Sequence, residues 1–230
     1  GQLVSDKDFT LSQRASKWGA HDGVLFDRAL HDIAARVSST TPTLTVVQTS
    51  SSHEPFEVPY SNPRFADNPR ANAFAYADSC LTAFVGSLRQ LPSWNRTLVV
   101  IVPDHWGCWP QGLDPADRHR IPLVLTGGAL AQRGLRIDKT AMQTDLAATI
   151  LAAAGVSCPL TYSRDILDPA TRPVAVFTEP SMIGIVTPAD TLIYNPDGET
   201  VIEASGRNPQ ALIPQAKAFM RDISNSMHKL

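Results

Sequence analysis

Apolar positions recur along this chain with two different periods, and the changes of period mark its elements. From Asp22 to Val37 the apolar residues Phe26, Ala29, Leu30, Ile33 and Val37 fall at helical spacing. Thr43-Leu44-Thr45-Val46-Val47-Gln48-Thr49 follows, β-branched and apolar, which predicts a buried strand. A stretch rich in Ser, Pro and Asn, from Ser50 to about Pro69, predicts a loop. Phe74, Ala77, Leu81, Phe84, Val85, Leu88 and Leu91 then form a long apolar stripe, the mark of a helix.

Leu98-Val99-Val100-Ile101-Val102 is apolar without interruption, as expected of a strand covered on both faces in a parallel sheet. Ile121-Pro122-Leu123-Val124-Leu125 predicts a shorter strand, ended by Gly127-Gly128. Thr140 and Gln143 have the spacing of a capping box ahead of a helix carrying Met142, Leu146, Ile150 and Leu151, with Gly155 placed to end it.

After about Arg172 the texture changes. Pro173 to Phe177, Ile183 to Val186, Thr191 to Tyr194 and Thr200 to Glu203 read as short strands, the last two joined by the turn Asn195-Pro196-Asp197-Gly198. A final helix is expected over about Gln210 to Met227. The fold class is therefore α/β: a largely parallel sheet flanked by helices, then a small C-terminal antiparallel sheet and a terminal helix. With no linker-like stretch, one domain is expected, with residues 1–170 as its α/β portion and 171–230 as a small subdomain.

Composition narrows the function classes. Of 230 residues, 43% are hydrophobic and 18% charged, which suits a packed core and argues against disorder. The net charge of -2 is spread along the chain, so a nucleic-acid face is not expected. No apolar run approaches the ~20 residues that span a bilayer. The opening Gly1-Gln2-Leu3-Val4-Ser5-Asp6 has neither the cationic nor the apolar region of a signal peptide. Cys80, Cys108 and Cys158 are far apart and odd in number, which predicts buried free thiols rather than a disulfide framework or zinc knuckle.

The candidate chemistry lies after predicted strands. Asp104-His105 follows the strand Leu98 to Val102, where open α/β sheets place their functional groups. One carboxylate oxygen and one imidazole nitrogen together suit Zn²⁺ or Mn²⁺; the alternative is an Asp capping the next turn and a His satisfied locally. His53, just past the strand at Thr43, could hydrogen-bond an anionic oxygen, or be a loop His beside Glu54. If the two strands are neighbours, His53 shares a rim with the Asp104-His105 pair. Trp106, Cys108 and Trp109 are expected to pack their loop onto the body, and His119 and Arg120, at a strand's start, to be structural. Asp145 reads as a helix-dipole residue. His21, His31 and His228 show no ligand spacing. No Gly-rich phosphate loop, GxSxG, HExxH or CxxC occurs.

Six segments, in this order, resemble the lipoteichoic acid synthase-like (phosphoglycerol transferase) branch of the sulfatase and alkaline phosphatase superfamily. They are Ser16-Lys17-Trp18-Gly19-Ala20-His21-Asp22, Gln48 through Phe56, Ala75-Tyr76-Ala77-Asp78, Val100 through Gly107, His119-Arg120-Ile121-Pro122-Leu123 and Gln143 through Thr149. The resemblance implies an enzyme acting on phosphate or sulfate esters, often lipid-linked phosphoglycerol. It also implies a location on the periplasmic or extracellular face of the bacterial inner membrane, with a membrane tether in the parent protein. The family's metal-binding Asp-His pair corresponds to Asp104 and His105, and its substrate-contacting His to His53. One divalent metal, Mn²⁺ or Zn²⁺, is implied in the intact domain, with a Thr nucleophile that forms a covalent intermediate.

In that family the first strand, an acidic ligand and the nucleophile precede the Ser-Lys-Trp-Gly segment, and here only about fifteen residues do. The chain is accordingly expected to be the C-terminal part of such a domain, inactive alone and weak in metal binding. The alternative is a non-catalytic binding or assembly domain that keeps the fold.

Overall fold

The computed structural model of the chain describes residues 1–157 and 159–227, and two compact units divide it. The first contains residues 1–97 and 127–129, the second residues 98–126 and 130–230.

The first unit is a packed helix pair with long loops. α1 (Asp22–Ala34) and α2 (Pro69–Leu88) bring Phe26 and Phe84 into a ring stack 4.6 Å between centroids, with Ala29, Ala73 and Leu88 buried beside them. These five burials stabilise the unit by several kcal/mol at about 25 cal/mol per Å² of apolar surface, an upper bound. α2 begins at a Pro in its first turn, and the Asn68 side chain accepts the Ala71 N–H at 3.0 Å. α1 lacks a side-chain cap from its own N-cap residue, His21. Its orphan N–H groups are met from elsewhere: Asp22 N donates to Ser51 Oγ at 2.9 Å and Gly23 N to the Tyr76 hydroxyl at 3.3 Å. Gly128 donates to the Trp94 carbonyl, and a Cβ there would lie 2.5 Å from that oxygen, so only glycine allows the approach.

The second unit holds two sheets. β1 (Val99–Ile101) and β2 (Val124–Thr126) pair antiparallel, with Val100 opposite Leu125. A short helix, α3 (Pro115–Arg118), lies between them in sequence, and α4 (Asp145–Ala153) follows. β3 (Ala175–Glu179), β4 (Met182–Val186), β5 (Asp190–Asn195) and β6 (Thr200–Gly206) form an antiparallel meander in chain order. α5 (Ile213–Met227) follows a single 3-10 turn at Pro209–Leu212 and covers the meander. Ile183, Ile185, Leu192 and Tyr194 are buried against Leu212 and Ala216, with Phe219 and Met220 packed at the margin. The Asn195 side chain accepts from Asp197 N and Gly198 N, each at 2.9 Å, closing the predicted hairpin turn.

The α/β character, the small antiparallel sheet and the terminal helix match the expectation from sequence. The pairing differs in detail: among the described residues the strand pairs are antiparallel, including β1 with β2. Thr43 to Thr49 carries no strand ladder, and Leu44 and Val46 are 75% and 81% exposed, so its apolar run is not spent on a core. β2 starts three residues later than predicted, because Pro122 has no N–H to give a ladder. α4 starts at Asp145, not behind Thr140, and no capping box forms there.

Candidate functional site

Asp104 and His105 leave the carboxyl end of β1 after Val102-Pro103. Both are exposed, so the site is open to solvent. The His105 Nδ1 lies 2.6 Å from the Trp106 carbonyl oxygen. A carbonyl oxygen only accepts, so Nδ1 carries the proton and Nε2 is the nitrogen left for other chemistry. That Nε2 stands 3.6 Å from Asp104 Oδ2, while Asp104 Oδ1 accepts the His105 N–H at 2.9 Å. One carboxylate oxygen is thus used to fix the turn and the other converges on the imidazole.

Gln143, two residues ahead of α4, braces this loop. Its side-chain amide donates to the carbonyls of Pro103 and Asp104, at 2.8 and 3.0 Å. Gln143 forms no capping box with Thr140; its amide holds the Asp104 backbone rather than a helix end. Asp145 next to it is fully buried and paired with Arg164, a larger role than a dipole contact. Trp109 is 66% exposed rather than packed onto the body as expected, and Cys108 is exposed, with φ 53, rather than a buried thiol. Cys80 is half-buried, and Cys158 lies outside the described residues, as does His228.

His119 is structural, as its position at a strand's start suggested. Its ring stacks on Phe177 at 3.8 Å and 13°, with Nδ1 donating to the Pro115 carbonyl at 2.7 Å and Nε2 3.6 Å from Glu179 Oε1.

His53 belongs to the first unit, in the turn that follows Ser50-Ser51. Asp22, wholly buried, anchors that turn: its Oδ1 accepts the N–H groups of Ser50 and Ser51, each at 3.0 Å. His53 N in turn donates to the Ser50 carbonyl at 3.0 Å. Its Nδ1 lies 3.0 Å from the Glu54 carbonyl oxygen, and the Trp18 indole N–H donates to the same oxygen at 2.7 Å. The Trp18 and His53 rings are 4.5 Å apart. Lys17, Trp18, Ser50, Ser51, His53 and Glu57 line a shallow indentation there. Asp22 and Trp18 support this turn, and neither has a spacing that marks it in the sequence, although both lie in the segment Ser16 to Asp22.

Residues 3–156, more than half of the chain and a span that includes His53, Asp104 and His105, match the sulfatase family. The chain belongs to the sulfatase family. Two solved structures share the fold of this sulfatase-family chain. One is a protein in the alkaline phosphatase superfamily from Vibrio parahaemolyticus, with TM-score 0.81 and 24% identity over 94% of this chain and 56% of that one. The other is the lipoteichoic acid synthase LtaP from Listeria monocytogenes, with TM-score 0.61 and 21% identity over 86% of this chain and 57% of that one. The sulfatase-family chain therefore spans little more than half the length of either.

Among the described residues, no group of three or more His, Cys, Asp or Glu side chains is arranged to hold a metal ion, so Asp104 and His105 stand as a pair. No helix among them is long and apolar enough to cross a membrane.

Proposed function

We propose that this chain carries the Asp-His metal ligands and an ester-binding His of an enzyme that cleaves or transfers phosphate or sulfate esters, in the lipoteichoic acid synthase-like branch of its superfamily. Asp104 and His105 would hold one divalent ion, Mn²⁺ or Zn²⁺, and His53 would hydrogen-bond an anionic ester oxygen. The observation that carries this reading is the 3.6 Å between Asp104 Oδ2 and His105 Nε2. Two ligand bonds of about 2.1 Å meeting at a tetrahedral angle put their donor atoms about 3.4 Å apart. The pair therefore fits one ion with little movement.

Such an ion supplies Lewis acidity toward an ester oxygen. The chain's own residues do the positioning. Trp106 holds the His105 ring through Nδ1, the outer contact that orients most metal-bound imidazoles. Gln143 keeps the Asp104 backbone in place. The His53 Nε2 accepts from a protonated ester oxygen when neutral and donates to an anionic one when charged.

A site with two protein ligands is weaker than the usual three or four. The chain by itself accordingly binds the ion weakly and turns over no ester. A lipid-linked phosphoglycerol donor, with the parent protein tethered at the outer side of the bacterial inner membrane, belongs to the same proposal. Its support is the six-segment resemblance.

Titration of Mn²⁺ into isotope-labelled chain tests the site. Paramagnetic broadening is expected first at residues 104–106 and 143, and its loss in both Asp104→Asn and His105→Gln. Broadening that begins elsewhere, or that both variants retain, rejects it. In parallel, turnover of a chromogenic phosphate or sulfate ester by the pure chain would reject the inactivity of the isolated chain.

A further inference from the structure

From Pro42 to Ser50 the chain runs without helix, turn or bend. No backbone N–H or C=O of Thr43 through Thr49 has a hydrogen-bond partner among the described residues. The segment is nevertheless held at both ends: Thr41 N donates to Ser39 Oγ at 3.2 Å, and Ser50 N to Asp22 Oδ1 at 3.0 Å. Side chains on a straight backbone alternate between its two faces, so Leu44 and Val46 share one face and Thr43, Thr45 and Val47 the other. Leu44 and Val46 are 75% and 81% exposed, and Thr43 and Thr45 are exposed opposite them. Natural proteins keep open strand edges from pairing with charges and prolines, and Thr43 to Thr49 contains neither.

Backbone groups left open on both edges, between two apolar or β-branched faces, describe an inner strand without its sheet. The first unit offers it none, since its helices and 3-10 turns form no ladder there. We infer that Thr43–Thr49 is the docking strand for the part of the parent domain that lies outside this sequence, which lays an uncharged, apolar β-strand alongside it. Length supports this occupant. The chain shares its fold over 94% and 86% of its own residues with two structures of which it covers only 56% and 57%. Charge supports it too, because the nearest charged residues, Arg36 and Glu54, lie beyond both ends of the strand. A second copy of the chain would bring one matching strand and leave a free edge on each, whereas a larger missing part has the length to flank both. The inference rests on the shared fold and not on the ester chemistry of Asp104, His105 or His53.

The test compares amide hydrogen exchange at Thr43–Thr49 in the chain alone and in the intact parent protein. In the chain alone these amides should exchange nearly as fast as in an unstructured peptide, at every chain concentration. In the parent they should exchange at least about a hundredfold more slowly. Co-expression of the chain with the rest of the parent as a second polypeptide should give a complex. Val46→Lys should abolish it, and Ile202→Lys, half exposed on β6 of the second unit, should not. The Ser50 and Ser51 amides, pinned by Asp22, report that the Val46→Lys chain is folded. Fast exchange in the parent overturns the inference, as does a co-expressed pair that forms no complex or one indifferent to Val46→Lys. Protection in the chain alone overturns it as well, and protection that grows with concentration assigns the strand to a second copy. A parent that protects the strand but binds no Mn²⁺ at Asp104 and His105 upholds the docking and defeats the ester reading instead.

Discussion

Asp145 and Arg164 pair through two hydrogen bonds, Nε to Oδ1 at 3.0 Å and Nη2 to Oδ2 at 2.7 Å, with the carboxylate wholly excluded from solvent. The carboxylate also accepts the N–H groups of Met142 and Arg164, and the guanidinium donates on to the carbonyls of Arg172 and Val174. This network ties the start of α4 to the chain entering β3. Asp145→Asn keeps the volume but turns an amide toward the guanidinium. Breaking one partner of a buried pair costs about 3 kcal/mol, toward the low end because Arg164 is 26% exposed. Urea unfolding of the variant checks this, and a loss well under 1 kcal/mol would contradict it.

Phe177 and Gly184 face each other across β3 and β4, and a Cβ on Gly184 would come 2.1 Å from the Phe177 ring. That ring is held on its other side by the His119 stack, so it has little room to yield. Gly184→Ala is expected to destabilise by about 1 to 3 kcal/mol through overpacking. Adding Phe177→Leu should recover part of that loss. No recovery in the double variant would show that backbone strain, not the ring, sets the cost.

The parts of the fold legible in the sequence were those whose signal is local. Phe26 and Phe84 lie on apolar stripes of helical period, and both helices formed within a few residues of their expected limits. Asn195 to Gly198 carried its turn chemistry in four residues, and the hairpin followed. Leu44 and Val46 misled, because an apolar β-branched run specifies a strand only where a neighbouring ladder exists to take its N–H and C=O groups. Asp104 and His105 were legible as neighbours after a strand. Gln143, Asp22 and Trp18 were not, since each acts through a backbone carbonyl or N–H far away in sequence, and backbone groups leave no mark in side-chain spacing.

Asp22 gives a graded prediction. Asp22→Ala removes the acceptor for two backbone N–H groups, and leaving them unsatisfied costs about 2 kcal/mol or more. Asp22→Asn keeps an acceptor oxygen and should cost less, because the Oδ2 atom it alters is buried with no hydrogen-bond partner among the described residues. Amide hydrogen exchange at Ser50 and Ser51 should accelerate in the alanine variant and change little in the asparagine one. Equal acceleration in both would remove Asp22 as the anchor of the His53 turn.

Tyr76 makes stability fall at alkaline pH. Burial first, then its side-chain hydrogen bond with Cys80, pushes the hydroxyl from 10.0 up to about 12. The folded chain therefore keeps a proton that the unfolded chain releases. This contribution is complete below pH ~10, the unfolded value, and is lost as pH rises toward about 12. Tyr76→Phe should flatten the decline of unfolding free energy across that window. A decline as steep as the wild type's would assign it to other groups.

The most direct measurement is the position of Mn²⁺ soaked into crystals of the chain and located by its anomalous signal. A metal-binding Asp104-His105 pair predicts an ion about 2.2 Å from Asp104 Oδ2 and from His105 Nε2, with the His105 Nδ1–H still directed at the Trp106 carbonyl. An ion seated away from both side chains, at a concentration that fills its site, would contradict the metal role of the pair and with it the ester chemistry built on it.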